Sequence, residues 1–154
     1  MITLDSIVSA LLAGLAVDLG TYDVSGTDQV VEGSYQTPPG PVPLVCVVPP
    51  RMTASIAQAR GAWYLETHEI ELRAWAPVTE TTTPVRADEA RQLAAELLQR
   101  LDQLRDDQSS VLYRCVDWAV TAQLHEPSGD TGIWLARADV TLTLTYRRQS
   151  GTGA

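Results

Sequence analysis

The chain contains no Lys, no Asn and no Phe, and only two Cys and two His among its 154 residues. Each absence closes a chemical route. Without Lys there is no phosphate-loop lysine, no Schiff-base lysine and no lysine general base. Cys46 and Cys115 lie far apart and form no CxxC pair, so they read as two buried, reduced thiols. His68 stands between Glu66 and Glu69, but a zinc-binding helix needs a second His four residues on, and position 72 is Leu. The other His, His125, has no ligand-type spacing around it, so no metal site and no cofactor are expected. No GxSxG occurs: Gly129 and Gly132 fall in a turn, Gly151 and Gly153 in the tail. Asp106 and Asp107 would oppose the dipole of a helix ending there and read as solvated turn residues. These absences together point away from an enzyme.

Long apolar runs are missing too. Nowhere do about 18 apolar residues follow one another, so no membrane-spanning helix is expected. The first twenty residues are apolar in bulk but lack a basic leading region and carry Asp5 and Asp18, which argues against an export signal and for folding in a cytoplasm. All eleven basic residues are Arg, and the net charge is −8. Such a surface repels phosphate backbones, so tight direct binding of nucleic acid is not expected.

What is present is a core-building pattern: 45% hydrophobic residues, enough for one domain over residues 1–148 with a frayed tail at 149–154. Leu4, Ile7, Val8, Leu11, Leu12, Leu15 and Leu19 recur at helical spacing behind the N-cap Thr3, which predicts a helix over residues 4–18. Residues 20–43, crowded by Pro38, Pro39, Gly40, Pro41 and Pro43, read as a long, partly extended loop of the kind that serves a function or is ordered by a partner. Leu44–Val48 is a short buried strand stopped by Pro49-Pro50. Residues 62–76 alternate, with Ile70, Leu72 and Ala74 on one face and Glu69, Glu71 and Arg73 on the other. Thr83-Pro84 opens a second helix with the stripe Ala90, Leu93, Ala94, Leu97, Leu98, Leu101 and Leu104. Glu96 and Arg100 are placed as a surface pair on it.

Two alternating segments, 111–124 and 134–147, then flank the turn-rich 126–132 and predict a long C-terminal β-hairpin. The order predicts an α+β fold, a single antiparallel or mixed β-sheet with both helices packed on one face. Three strands of about a dozen residues exceed the usual five or six. Either their ends are ragged, or the hairpin projects and is covered by another subunit; the second is the expectation carried forward.

The polar face of these strands carries Glu69, Glu71, Arg73, Arg137, Asp139 and Arg147, together with Trp63 and Trp75. Mixed charge there suits edge protection or the rim of a subunit interface equally, and two Trp on a polar face are normal at an interface. These eight residues are the candidates for subunit contact.

Several stretches together resemble the tail terminator proteins of long-tailed bacteriophages: the helix from Thr3 to Leu19, Pro43-Leu-Val-Cys-Val-Val-Pro-Pro50, Leu72-Arg-Ala-Trp-Ala-Pro77, Ala87-Asp-Glu-Ala-Arg-Gln-Leu93 and Ala138-Asp-Val-Thr-Leu-Thr-Leu-Thr-Tyr146. The resemblance covers most of the chain and is one of pattern rather than of a fixed motif. It implies a virion structural protein of the tail or neck, assembled in the host cytoplasm. It implies a homo-oligomeric ring, usually a hexamer, on the last ring of tail-tube protein. That ring stops tube polymerisation and docks the tail to the head–tail connector protein. DNA would pass the lumen without specific binding, for which an acidic subunit is suited. The family has no catalytic residues to carry over. A head–tail connector or head-completion protein of the neck is the nearest alternative, and a monomeric ligand-binding module is one of another class.

Overall fold

A computed structural model describes residues 2–50, 55–57, 63–78, 88–125, 128–130 and 133–149. The sheet is built on two long antiparallel strands, β4 (Trp63–Pro77) and β7 (Ile133–Gln149), paired without a break from Trp63↔Gln149 to Pro77↔Leu135. Their ends are therefore not ragged. On the far side of β4 lie β2 (Leu44–Val48) and then β3 (Ser55–Ala57); on the far side of β7 lie β5 (Asp117–Leu124) and β6 (Ser128–Asp130). A three-residue strand β1 (Val30–Glu32) closes the other edge parallel to β2, giving the order β1-β2-β4-β7-β5 and a mixed sheet.

The helices α1 (Leu4–Leu15) and α2 (Asp88–Asp106) both pack on one face, as the stripes predict. Ile7, Leu11 and Leu15 of α1 and Leu93, Leu97 and Leu101 of α2 share one core with the even-numbered residues Ile70, Leu72, Val140, Leu142 and Leu144. Val45 and Val47 of β2 join them through the register Val45↔Ala74 and Val47↔Leu72. Alternation along β4 and β7 thus sets which of their residues face the helices.

Four expectations are corrected. The helix α1 stops at Leu15 rather than 18, because the chain turns back: Val24 donates to Val17 O at 3.2 Å and Leu19 to Tyr22 O at 2.9 Å. Residues 20–43 are not wholly loop, since β1 lies inside them and gains its hydrogen bonds from β2. Residues 111–114 form a 3-10 turn rather than strand, capped where Ser110 Oγ accepts from Leu112 N at 3.2 Å, and this turn drives Leu112 into the core. The turn-rich segment between the hairpin strands contains β6, so the hairpin runs on until two residues separate Asp130 from Ile133. The expected opening of α2 at Thr83-Pro84 lies outside the described residues.

Glu96 is a fifth correction. It does not pair with Arg100 on the surface; it is 6% exposed and takes the backbone N–H groups of Thr21 and Tyr22, the latter at 3.2 Å, and Gln92 Nε2 at 2.9 Å. Arg100 instead donates through Nε to Gly14 O at 2.8 Å. Both side chains tie α2 to the far end of α1, where backbone groups beyond a helix terminus lack partners of their own. Gly20 sits at φ 132 with room for no side chain, because a Cβ there would lie 2.9 Å from Glu96 Oε1. Glu96→Ala is expected to lower unfolding free energy by about 3 kcal/mol, since it orphans two backbone donors, and Glu96→Gln by about 1 kcal/mol, since an acceptor oxygen remains. Urea denaturation measures both; equal losses would mean that charge, not the acceptor, holds the turn.

Candidate functional site

The odd-numbered residues of β4, β5 and β7 form the sheet face that neither helix covers. Cross-strand register sets the neighbours there: Glu69↔Thr143, Glu71↔Thr141, Arg73↔Asp139 and Trp75↔Arg137. Beside them β5 adds Asp117, Ala119, Thr121 and Gln123, all exposed. The face divides into three zones.

At one end is a small dry cluster. Trp75, 3% exposed, packs with Leu44 and Cys46 and with the partly buried Val31, Val42 and Leu135. In the middle is a charge network. Arg73 is chelated by Glu71, with Nε to Oε1 at 3.1 Å and a second bond from its guanidinium to Oε2 at 3.3 Å, and it also donates to Tyr35 O at 2.9 Å. The Glu71 hydrogen bonds raise the Arg73 pKa further, against a smaller opposing effect of burial. Asp139, 8% exposed, accepts two bonds from Arg137 at 3.0 Å and faces His125 Nε2 at 2.8 Å. The Arg137 guanidinium carbon also stands 5.8 Å from the centre of the Trp75 ring, a cation–π arrangement. At the other end the face is a Thr lawn, in which Thr67 and Thr145 share a 2.8 Å hydrogen bond across the strands.

Five of the eight candidates thus meet: Glu71, Arg73, Trp75, Arg137 and Asp139. Glu69 lies one step along, exposed, on the rim of a groove of about 520 Å³ that also takes in Glu71, Arg73, Thr141, Val48 and Pro49. Arg147 sits at the opposite end of the same face, ten residues from Arg137, which is roughly 33 Å along a strand. The side chain of Trp63 lies outside the described residues. Trp75 is already packed by its own chain, so its place on a polar face does not make it exposed. Sequence reading missed His125, Tyr35 and the Leu44–Cys46 pair. Only the strand register exposes His125: it continues the odd series of β5 and reaches Asp139, and its N–H bonds to Arg137 O at 3.1 Å.

The other polar constellation is on the helix-covered face. His68 Nε2 lies 2.7 Å from Glu66 Oε1, both side chains buried, and the imidazole stacks on Tyr146 at 5.8 Å between ring centres. Among the described residues no three His, Cys, Asp or Glu side chains converge as metal ligands. A hollow of about 590 Å³ beside the start of α2 is rimmed by Asp23, Asp88 and Glu89, of which Asp88 pairs with Arg91. No described helix is long and apolar enough to cross a membrane. Compared with known proteins, the chain matches no family model and no curated sequence.

Two measurements follow from this geometry. Asp139→Ala strips the half-buried Arg137 guanidinium and His125 of their shared acceptor and is expected to cost about 2 kcal/mol, whereas Asp139→Asn, which keeps one acceptor oxygen, costs less; chemical denaturation separates them. Burial pushes both thiols up to about 11 from an ordinary value of 9.0. Thiol alkylation is therefore slow at pH 8 and accelerates toward pH 11. Unfolded thiols ionise first, so the stability due to their burial is intact below about pH 9 and falls between there and 11. Rapid alkylation of the folded protein at pH 8 would contradict this.

Proposed function

We propose that the chain is a structural protein of a phage virion, a tail terminator that assembles as a ring, in the family's usual form a hexamer, on the end of the tail tube and presents a surface to the head–tail connector. It is not an enzyme in this reading, and DNA passes it without specific contact. The observation that carries the proposal is the sheet face left open by the helices. Its long strands present Thr67, Glu69, Thr143 and Thr145, with Thr121 and Ala119 beside them, as a polar surface, and it is backed from beneath by one continuous core. The charge network fixes its geometry before any partner arrives, which lowers the ordering cost of a contact. The pattern resemblance to tail terminators gives that contact its identity.

The net charge of −8 suits a subunit around a DNA channel, because like charge keeps the polymer from adhering. The neck alternative differs in partner: a connector would engage portal or adaptor protein, a terminator the tube protein.

The test is to incubate the purified chain with tail-tube protein and image the product by electron microscopy, alongside the mass of the chain in solution. Capped tubes of uniform length support the reading. Replacing the cross-strand neighbours, Glu69→Arg with Thr143→Arg, should abolish capping while the circular dichroism spectrum and melting temperature stay near wild type. A strict monomer that ignores tube protein would remove the reading, and selective binding to portal would replace it with the connector.

A further inference from the structure

The two edges of the sheet are treated differently. At one edge β1 is three residues long, carries Glu32, and is followed by Gly33 at φ 153, so little strand is offered for pairing. At the other, β5 runs eight residues and among the described residues pairs only with β7. Asp117–Leu124 contains no Lys, Arg or Pro, the residues that usually guard an edge, and a single charge. Three of the four exposed large hydrophobics of the described chain border it: Tyr113 at 49%, Val116 at 47% and Leu124 at 39%.

The backbone groups it offers are fixed by its pairing. His125 N bonds to Arg137 O, in step with the register Asp117↔Thr145 to Leu124↔Ala138, so the odd residues of β5 turn their N–H and C=O groups toward β7. Alternation leaves those of Trp118, Val120, Ala122 and Leu124 facing outward.

We propose that this edge pairs with the β5 edge of a second copy of the chain, antiparallel about a two-fold axis through Thr121, joining two sheets into one. Three constraints select that arrangement. A two-fold axis normal to the sheet keeps both helical layers on one side, which requires odd residues to face odd and even to face even. Centring on Thr121 is the register that pairs all four outward residues, Trp118 with Leu124 and Val120 with Ala122, for about six backbone hydrogen bonds, since the Trp118 N–H of each copy is held by Asp117 Oδ1 at 2.8 Å. The same register sets Asp117 of each copy opposite His125 of the other, whose Nε2 is already held by Asp139 of its own chain, and covers the exposed Leu124 with Trp118. Two copies of an acidic chain also meet here where each carries one carboxylate, the least repulsive approach.

A two-fold contact cannot by itself build a ring whose subunits all point one way. The pairing therefore describes the free protein and uses a different surface from the capping contact. It stands or falls independently of the proposed function.

Sedimentation equilibrium of the full chain should show a monomer–dimer equilibrium. Ala122→Pro removes an outward N–H that β7 does not use, and Ala122→Arg places charge on the edge; each should weaken dimerisation at least about tenfold with the fold kept, as read by circular dichroism. The arginine variant decides the matter if the proline one misfolds. In a Cys115→Ser background, Thr121→Cys should form an intermolecular disulfide under mild oxidation. Facing residues of a pair without mutual hydrogen bonds stand about 4.5 Å apart. Ala119→Cys, on the same face but four residues from its own copy across the axis, should not. A monomer at every concentration, a dimer indifferent to Ala122→Arg, or equal cross-linking at 119 and 121 overturns the proposal.

Discussion

Fifteen consecutive cross-strand pairs between β4 and β7 hold the rest of the molecule in place. Every other strand hangs on one of these two, and both helices rest on the even-numbered residues that the pairing brings side by side. A slip of one residue would turn Ile70, Leu72, Val140 and Leu142 outward and bury Arg73 and Asp139 beneath the helices, so both faces penalise it. The register is tight on the long strands and loosened on their flanks. Between β2 and β3 the pairing with β4 shifts by three residues, from Val48↔Glu71 to Ser55↔Thr67, where Pro49-Pro50 can donate no ladder bonds. Between β5 and β6 it shifts by one, from Leu124↔Ala138 to Ser128↔Leu135.

Length explains what fills each face. A strand of fifteen residues extends about 50 Å, whereas the nineteen residues of α2 reach about 28 Å and the twelve of α1 about 18 Å. The helices therefore cannot roof the whole sheet with apolar side chains. Toward the start of β4 the covered face changes character. Glu66 and His68 replace Ile70 and Leu72 in the even series; they pair with each other, and the His68 ring stacks on Tyr146. Near α2 the 3-10 turn supplies Leu112 as extra roof. Polar groups enter the interior where the helices run out.

Periodicity made the architecture legible. The alternation over 62–76 and 134–147 and the stripe of α2 were enough to give one sheet, two helices on one face and a C-terminal hairpin. Features that depend on register were not legible. That β1 lies inside the Pro/Gly-rich stretch follows from the hydrogen-bonding demand of β2, which no local pattern announces. Glu96 looked like the acidic half of an i, i+4 surface pair; its burial depends on Thr21 and Tyr22, more than seventy residues away, presenting unpaired N–H groups. Trp75 was correctly placed on the polar face, yet its exposure hinged on Leu44 arriving opposite it and Cys46 opposite Arg73. Of the eight candidates, those joined by i, i+2 spacing on one strand, Glu71 with Arg73 and Arg137 with Asp139, were brought together; Glu69 lines the groove beside the first pair, and Arg147 lies at the far end of the face.

The charge network has a consequence for how this face meets another protein. Arg73 and Arg137 each spend their forks on carboxylates of their own strand, and Asp139 is nearly closed to water. Groups already paired offer a partner little new energy, and desolvating them further carries a penalty that their existing bonds do not recover. In the proposed assembly, recognition by this face falls to what surrounds the network: the exposed Glu69, Thr121 and small residues of β5, with the half-buried threonines of β4 and β7 beside them. A lawn of hydroxyls contributes hydrogen bonds of modest worth spread over area, which favours contacts that are repeated many times in an assembly over a single tight pair. Tight register, an internally paired charge network and a polar surface suit the proposed task of holding a fixed shape against a repeating neighbour.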